Sequence, residues 1–201
     1  MTAPAPVEVL TAADHEAIVA VLAAAFHQYP AMRFILGPSE DYDRDLRRLV
    51  GFYADKRLLR GWPALGIRLA GELVAATLVN EPESESSPAV DAALATLRAE
   101  IGEAAYARMM AFEGASDRNE PATRHYFVGM IGVRPEVKGQ GHAGRLLTRV
   151  HEMAAERGYD GVCLTTENPG NLSFYRHLGY RILAETQVDT LTTWTLFRDG
   201  G

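Results

Sequence analysis

The chain has 201 residues, 47% of them hydrophobic, with a formal charge of −6 and a pI near 5.5. That length suits one domain over residues 1–201 around one sizeable core, and the acidic balance argues against nucleic acid or an anionic membrane as partner, because both need a basic field. Cys163 is the one cysteine and lies in the apolar run Val162-Cys-Leu, which excludes an intrachain disulfide or a cysteine zinc site and reads as a small buried hydrophobe. Residues 1–10 lack the charged start and apolar core of a signal peptide, and no stretch approaches the ~18 apolar residues of a membrane span, so the cytoplasm is the expected location.

Val7 to Leu10 reads as a short strand. Thr11 with Asp14 forms a helix-start signature, followed by a helix with Ile18, Val21, Leu22, Ala25 and Phe26 on one face and Pro30 at its exit. Tyr29 to Phe34 reads as a loop, and Ser39 to Arg60 as a second helix with Leu46, Val50 and Tyr53 inward. Leu65–Ala70 and Leu73–Asn80 bracket Gly71-Glu72 as a hairpin. The acidic stretch Glu81-Pro-Glu-Ser-Glu-Ser-Ser-Pro88 is a solvated loop. Val90, Leu94, Leu97, Ile101, Ala105 and Met109 then sustain one long helix to Gly114, with a second loop from Ala115 to Arg124, so that residues 81–114 form an insertion.

His125 to Val133 is an apolar run suited to a strand buried on both faces. Its Gly129 and Gly132 leave room either for a ligand beside the strand or for close packing. Beyond it, Gly139, Gly141 and Gly144 make a turn that frees backbone N–H groups without Cβ obstruction. Leu146, Leu147, Val150, Met153 and Ala154 form the apolar face of the following helix, which Gly158 caps. A glycine turn at a helix start favours an anion, and Arg134, Lys138, Arg145 and Arg149 cluster around it. Gly139-x-Gly141-x-x-Gly144, with Glu167 further on, matches the dinucleotide fingerprint literally. However, Arg134 to Lys138 separate strand from turn, and the 57 residues after Gly144 are too few for the rest of a doubly wound sheet. The phosphate-loop pattern of nucleotide hydrolases fails because no Lys-Ser or Lys-Thr follows the glycines.

Gly161 to Thr166 is the next strand. It leads into Glu167-Asn-Pro-Gly-Asn-Leu-Ser-Phe-Tyr-Arg-His-Leu-Gly-Tyr180, where Asn168 before Pro169 has the form of a helix cap. Tyr180–Gln187 and Thr190–Phe197 close the chain as a strand pair whose exposed ends offer a homodimer surface. No metal site is expected, since the six histidines show no ligand spacing and Ala155 stands where a zinc-protease helix beginning His151-Glu152 would need its second His.

Val133-x-Pro135-x-x-Lys138-Gly-Gln-Gly141-His-Ala143-x-x-Leu-Leu resembles the acetyl-CoA-binding motif of the GNAT acetyltransferase superfamily, with Lys138 for the usual Arg or Gln and His142 for an aliphatic residue. Asn168, Tyr175 and Leu178-Gly179-Tyr180 resemble the same superfamily. Leu22 to Arg33, Phe127 to Pro135, Thr166 to Tyr175 and Trp194 are most like the small-molecule branch that includes puromycin N-acetyltransferase, a resemblance weakest from Arg60 to Arg124. It implies an α/β fold, in which a mixed, mostly antiparallel sheet flanked by helices is splayed at the acetyl-CoA site. Acetyl-CoA would be held by Ile131, Gly132, Val133, Lys138, Gly139, Gln140, Gly141, His142, Ala143, Gly144, Asn168, Asn171 and Tyr175.

The implied reaction moves an acetyl group directly to the primary amine of a small molecule. Tyr175 would protonate the departing thiolate, and strand N–H groups near Ile131 would polarise the carbonyl. Glu167 is the chosen catalytic base among Glu167, Glu81, Glu113 and His125, with a water relay as alternative. Tyr29, Phe34, Tyr53 and Tyr126 are candidate acceptor-pocket walls. A protein lysine or N-terminal acetyltransferase, or a binding module without turnover, is the competing expectation.

Overall fold

The structure, a computed structural model, describes residues 5–82 and 87–200. Its elements in chain order are β1 (Val7–Val9), α1 (His15–Phe26), α2 (Pro30–Leu36), α3 (Tyr42–Leu58), β2 (Ala64–Leu69), β3 (Glu72–Asn80), α4 (Pro88–Ile101) and α5 (Glu103–Asp117). They continue with β4 (His125–Val133), α6 (His142–Glu156), β5 (Gly161–Thr166), α7 (Leu172–His177), β6 (Arg181–Val188) and β7 (Leu191–Asp199). The strands form a seven-stranded sheet in the order β1-β2-β3-β4-β5-β7-β6. Each neighbouring pair is antiparallel except β4 with β5. This is the mixed, mostly antiparallel architecture that the resemblance implies.

Both faces of the sheet are covered. On one, α1, α2 and α3 pack Ile18, Leu22, Ile35, Leu49 and Val50 against the strands, with Leu97 of α4 and Met109 of α5 in the same core. On the other, Leu146, Leu147, Val150 and Ala154 of α6 meet Tyr126, Val128, Val162 and Leu164. The apolar face read from α6 is therefore its buried face. The β2–β3 hairpin turns through Ala70 and Gly71, both at positive φ, as a two-residue turn matching the strand twist requires.

Three sequence expectations give way. The hairpin turn is Ala70-Gly71 rather than Gly71-Glu72, because Glu72 already pairs with Leu69 in the sheet. Tyr29 to Phe34 is not a loop: α2 begins at Pro30, because a proline that cannot continue one helix is well suited to the first position of another. The long helix expected to Gly114 is two helices. Gly102, at φ 81°, breaks the path between α4 and α5, and α5 runs on to Asp117. Of the acidic loop at 81–88, residues 83–86 lie outside the described residues.

Candidate active site

β4 and β5 run side by side only from His125↔Gly161 to Val128↔Leu164. Beyond that point β5 stays paired to β7 through Thr166 and β4 stays paired to β3 through Val133, so the two central strands part and leave a gap in the sheet. At the parting, Gly129 is an extra residue in β4: Leu78 faces Met130 and Val79 faces Val128, which makes a bulge. Arg134 N–H donates to Val74 O on the β3 side at 2.8 Å. Alternation along the strand therefore turns the N–H groups of Val133 and Ile131 to the other side, into the gap.

A narrow cavity of about 110 Å³ lies at this gap, with walls from α1, α2, α3, β3, α5, β4, β5 and α7. Glu167, just past β5, is its most perturbed acid. Only 6% of it is exposed, and its Oε1 is buried without a hydrogen-bond partner. Burial raises its pKa to about 7, against the opposing pull of the Tyr29, Thr193 and Thr165 hydroxyls. Tyr29 holds the same corner. Its hydroxyl accepts from Glu167 N–H at 3.1 Å and is bonded to Thr166 Oγ1 at 2.9 Å, which also accepts from Asn171 Nδ2 at 3.2 Å.

Tyr175 reaches the cavity from α7. Asn168 caps the turn before that helix by accepting from Gly170 N–H at 2.9 Å. Gly179, at φ 89°, ends it, with Tyr180 N–H donating to Tyr175 O and Gly179 N–H to Arg176 O, the bond pair of a Schellman ending. The Tyr175 ring is thus pinned at the helix terminus and packs against Tyr180 at 5.8 Å. Burial first, and the Glu167 charge second, push its pKa well up.

The glycine turn lies at the start of α6. Gly139 and Gly141 sit at φ 86° and 80°, and a Cβ at either position, or at Gly144, would meet no heavy atom within 4 Å. α6 has no side-chain N-cap, so its first N–H groups face open space, as a diphosphate requires. An open turn of this kind, with uncapped N–H groups at a helix start, suits the phosphates of a ligand such as coenzyme A. Lys138 and Gln140 are exposed beside it, whereas His142 is buried with both ring nitrogens unpartnered and Ala143 is half-buried. The cation cluster is smaller than expected. Arg149 pairs with Glu152 and Glu156 along its own helix, and Arg145 donates to Ala5 O.

Tyr29, Tyr53, Glu113, Ile131, Glu167, Asn171 and Tyr175 line the cavity together. Phe34 does not, and packs instead against the core on the α1 side. Tyr126 is wholly buried under α6 with its ring against Tyr159, because its place in β4 turns it to the opposite face. Two of the four base candidates are engaged elsewhere. Glu81 accepts from the Tyr159 hydroxyl at 2.7 Å, and His125 bonds Thr123 O at 2.7 Å and lies 3.4 Å from Glu120.

Gly129 and Gly132 have packing reasons: a Cβ on the first would overlap the Arg57 guanidinium, and one on the second would meet Leu22 and Ala25 of α1. Sequence reasoning missed Lys56, Arg57, Asn80, Phe112 and Asp117 as cavity residues. Arg57 did leave a signal, standing four residues after Tyr53 on the inward face of α3.

Residues 95–182 match the acetyltransferase (GNAT) domain family. Solved structures share the fold over nearly the whole chain. A histone acetyltransferase and related acetyltransferase from Corynebacterium glutamicum is 21% identical, with a TM-score of 0.75 over 99% of this chain and 98% of that one. The polyamine N-acetyltransferase of Drosophila melanogaster, which forms N-acetylagmatine, is 14% identical, with a TM-score of 0.69 over 96% and 97%. Arylalkylamine N-acetyltransferase 2 of Aedes aegypti is 11% identical, with a TM-score of 0.66 over 98% and 99%. The chain carries a GNAT acetyltransferase domain match at 95–182 and has the fold of these acetyltransferases along its length.

Proposed function

We propose that the protein, as one acetyltransferase domain, transfers the acetyl group of acetyl-CoA to the primary amine of a small molecule. The observation that carries the reading is the meeting, in one cavity at the β4–β5 gap, of a carboxylate with a pKa of about 7 and a buried tyrosine. The solved neighbours that act on polyamines and arylalkylamines support the acceptor class. Acetyl-CoA supplies the acetyl group as a thioester.

Lys138 and the glycine-turn N–H groups of Gly139 to Gly144 hold the phosphates, and Ile131 and Val133 present backbone groups to the arm of the cofactor in the gap. Glu167 takes a proton from the acceptor ammonium, freeing the nitrogen lone pair, and a base with a pKa of about 7 suits that task near neutral pH. The Ile131 N–H donates to the carbonyl oxygen as the N–C bond forms. Tyr175 delivers its proton to the sulfur as the C–S bond breaks. Burial and the Glu167 charge keep Tyr175 protonated beforehand. Once Glu167 has gained its proton, that charge is gone and Tyr175 gives up its own more readily.

The test is thiol release from acetyl-CoA across a panel of primary amines, puromycin included, with Glu167→Gln and Tyr175→Phe alongside. Turnover that both substitutions suppress is the expected result. Acetyl-CoA binding without turnover of any amine would sink the reading.

A further inference from the structure

The cavity holds more acid than one reacting amine needs. Its walls carry Glu113, Asp117, Glu120 and Glu167 against Lys56 and Arg57 among the described residues. Two of the carboxylates each keep one buried oxygen with no donor: Glu167 Oε1 and Glu113 Oε1. The other oxygen of Glu113 lies 3.6 Å from Lys56 Nζ. Tyr53, only 6% exposed, brings its hydroxyl to the same cavity beside Glu113, whose carboxylate adds to the effect of burial in holding the tyrosine pKa well above its ordinary value. Unpaired buried acceptors of this kind are costly unless a ligand supplies the donors.

The remaining acids mark a direction. Glu113 and Asp117 are one turn apart on α5, and Glu120 follows just past the helix end. Asp117 makes no ion pair among the described residues, while Glu120 is turned to His125 at 3.4 Å. Lys56, Asn80, Asp117, Glu120 and Phe127 line both this cavity and an outer groove walled by Arg60 and Trp62, so Asp117 stands at the neck between them.

We propose that the acceptor carries a second cationic group, with Glu167 facing the reacting amine and Glu113 with Asp117 receiving the second cation at the neck. This rests on the reading of the cavity as the acceptor site. It makes the preferred substrate class a diamine or a related dication. The second nitrogen supplies donors to Glu113 Oε1 and charge to Asp117, in a site walled by Tyr53 of α3 and Phe112 of α5, with Asp117 exposed at its outer end.

The experiment compares kcat/KM for straight-chain monoamines and α,ω-diamines of matched length, in the wild type, Asp117→Asn and Glu113→Gln. The expected result is a diamine preference on the order of tenfold or more in the wild type, falling toward parity in either variant. Monoamine turnover with no diamine preference, or a preference that survives both substitutions, overturns the inference while acetyl transfer to amines stands. Turnover of no amine at all overturns the acceptor reading and this inference with it.

Discussion

The guanidinium of Arg57 occupies the space that a side chain on Gly129 would need. Arg57 is 4% exposed, donating from Nε to Asn80 Oδ1 at 2.9 Å and from Nη1 to Tyr53 O at 3.1 Å. Burial lowers its pKa to about 10, so it stays charged at neutral pH. A buried cation is thereby seated against the bulge where β4 leaves β5. Gly129→Ala is expected to expel it, with a stability loss of about 2–4 kcal/mol in urea unfolding and loss of acetyl transfer.

Glu167 sets the pH response. Its carboxyl is protonated in both folded and unfolded chains below the ordinary value of 4.5, and in the folded chain it ionises only near 7. Its contribution to stability is therefore present at low pH and lost as pH rises through about 7, when the buried group must carry charge. Glu167→Gln is expected to raise the thermal midpoint relative to wild type at pH 8 while leaving little difference at pH 5. The same substitution should lower kcat/KM by about 10²–10⁴-fold and remove the rising limb near pH 7 from its pH profile.

Removing the Tyr175 hydroxyl tests the proton donor separately. Tyr175→Phe keeps the ring against Tyr180 and the Schellman ending of α7, so the fold should hold. The expected loss is about 10²-fold in kcat, with acetyl-CoA affinity unchanged by calorimetry. An equal loss in binding would reassign Tyr175 to holding the cofactor.

At the glycine turn the backbone itself is the ligand-binding group. Gly141, in the left-handed region at φ 80°, caps α6, and a side chain there costs about 1–2 kcal/mol while intruding on the open side of the turn. Gly141→Ala should weaken acetyl-CoA binding at least about tenfold by calorimetry, with kcat at saturation affected far less.

The legible parts of this chain were those whose physics is local. The face of α6, the β4 and β5 runs and the turn glycines follow from periodicity within a few residues and from backbone angles that only glycine adopts cheaply. Pro30 and Gly102 misled for the same reason, since a proline can end one helix or begin another and a glycine can be tolerated in a helix or break it. The cavity was readable only in part. Glu167 was legible as an acid at the end of the β5 run and Tyr29 and Tyr53 as aromatic candidates for pocket walls, but Lys56, Asn80 and Asp117 meet there from α3, β3 and α5, and no spacing along the chain encodes that meeting. Tyr126 shows the converse, a polar aromatic placed on the opposite face by strand alternation.

A sheet normally exposes free backbone groups only along its outer rims, where neighbouring molecules can add strands and aggregate. Here a stretch of rim has been moved indoors. Between Val128 and Val133 the open side of β4 faces β5 across a slot, with α1 packed over one face of the strand and α6 over the other. Backbone hydrogen-bonding capacity is thus kept inside the fold, away from the rims at which another chain could add a strand.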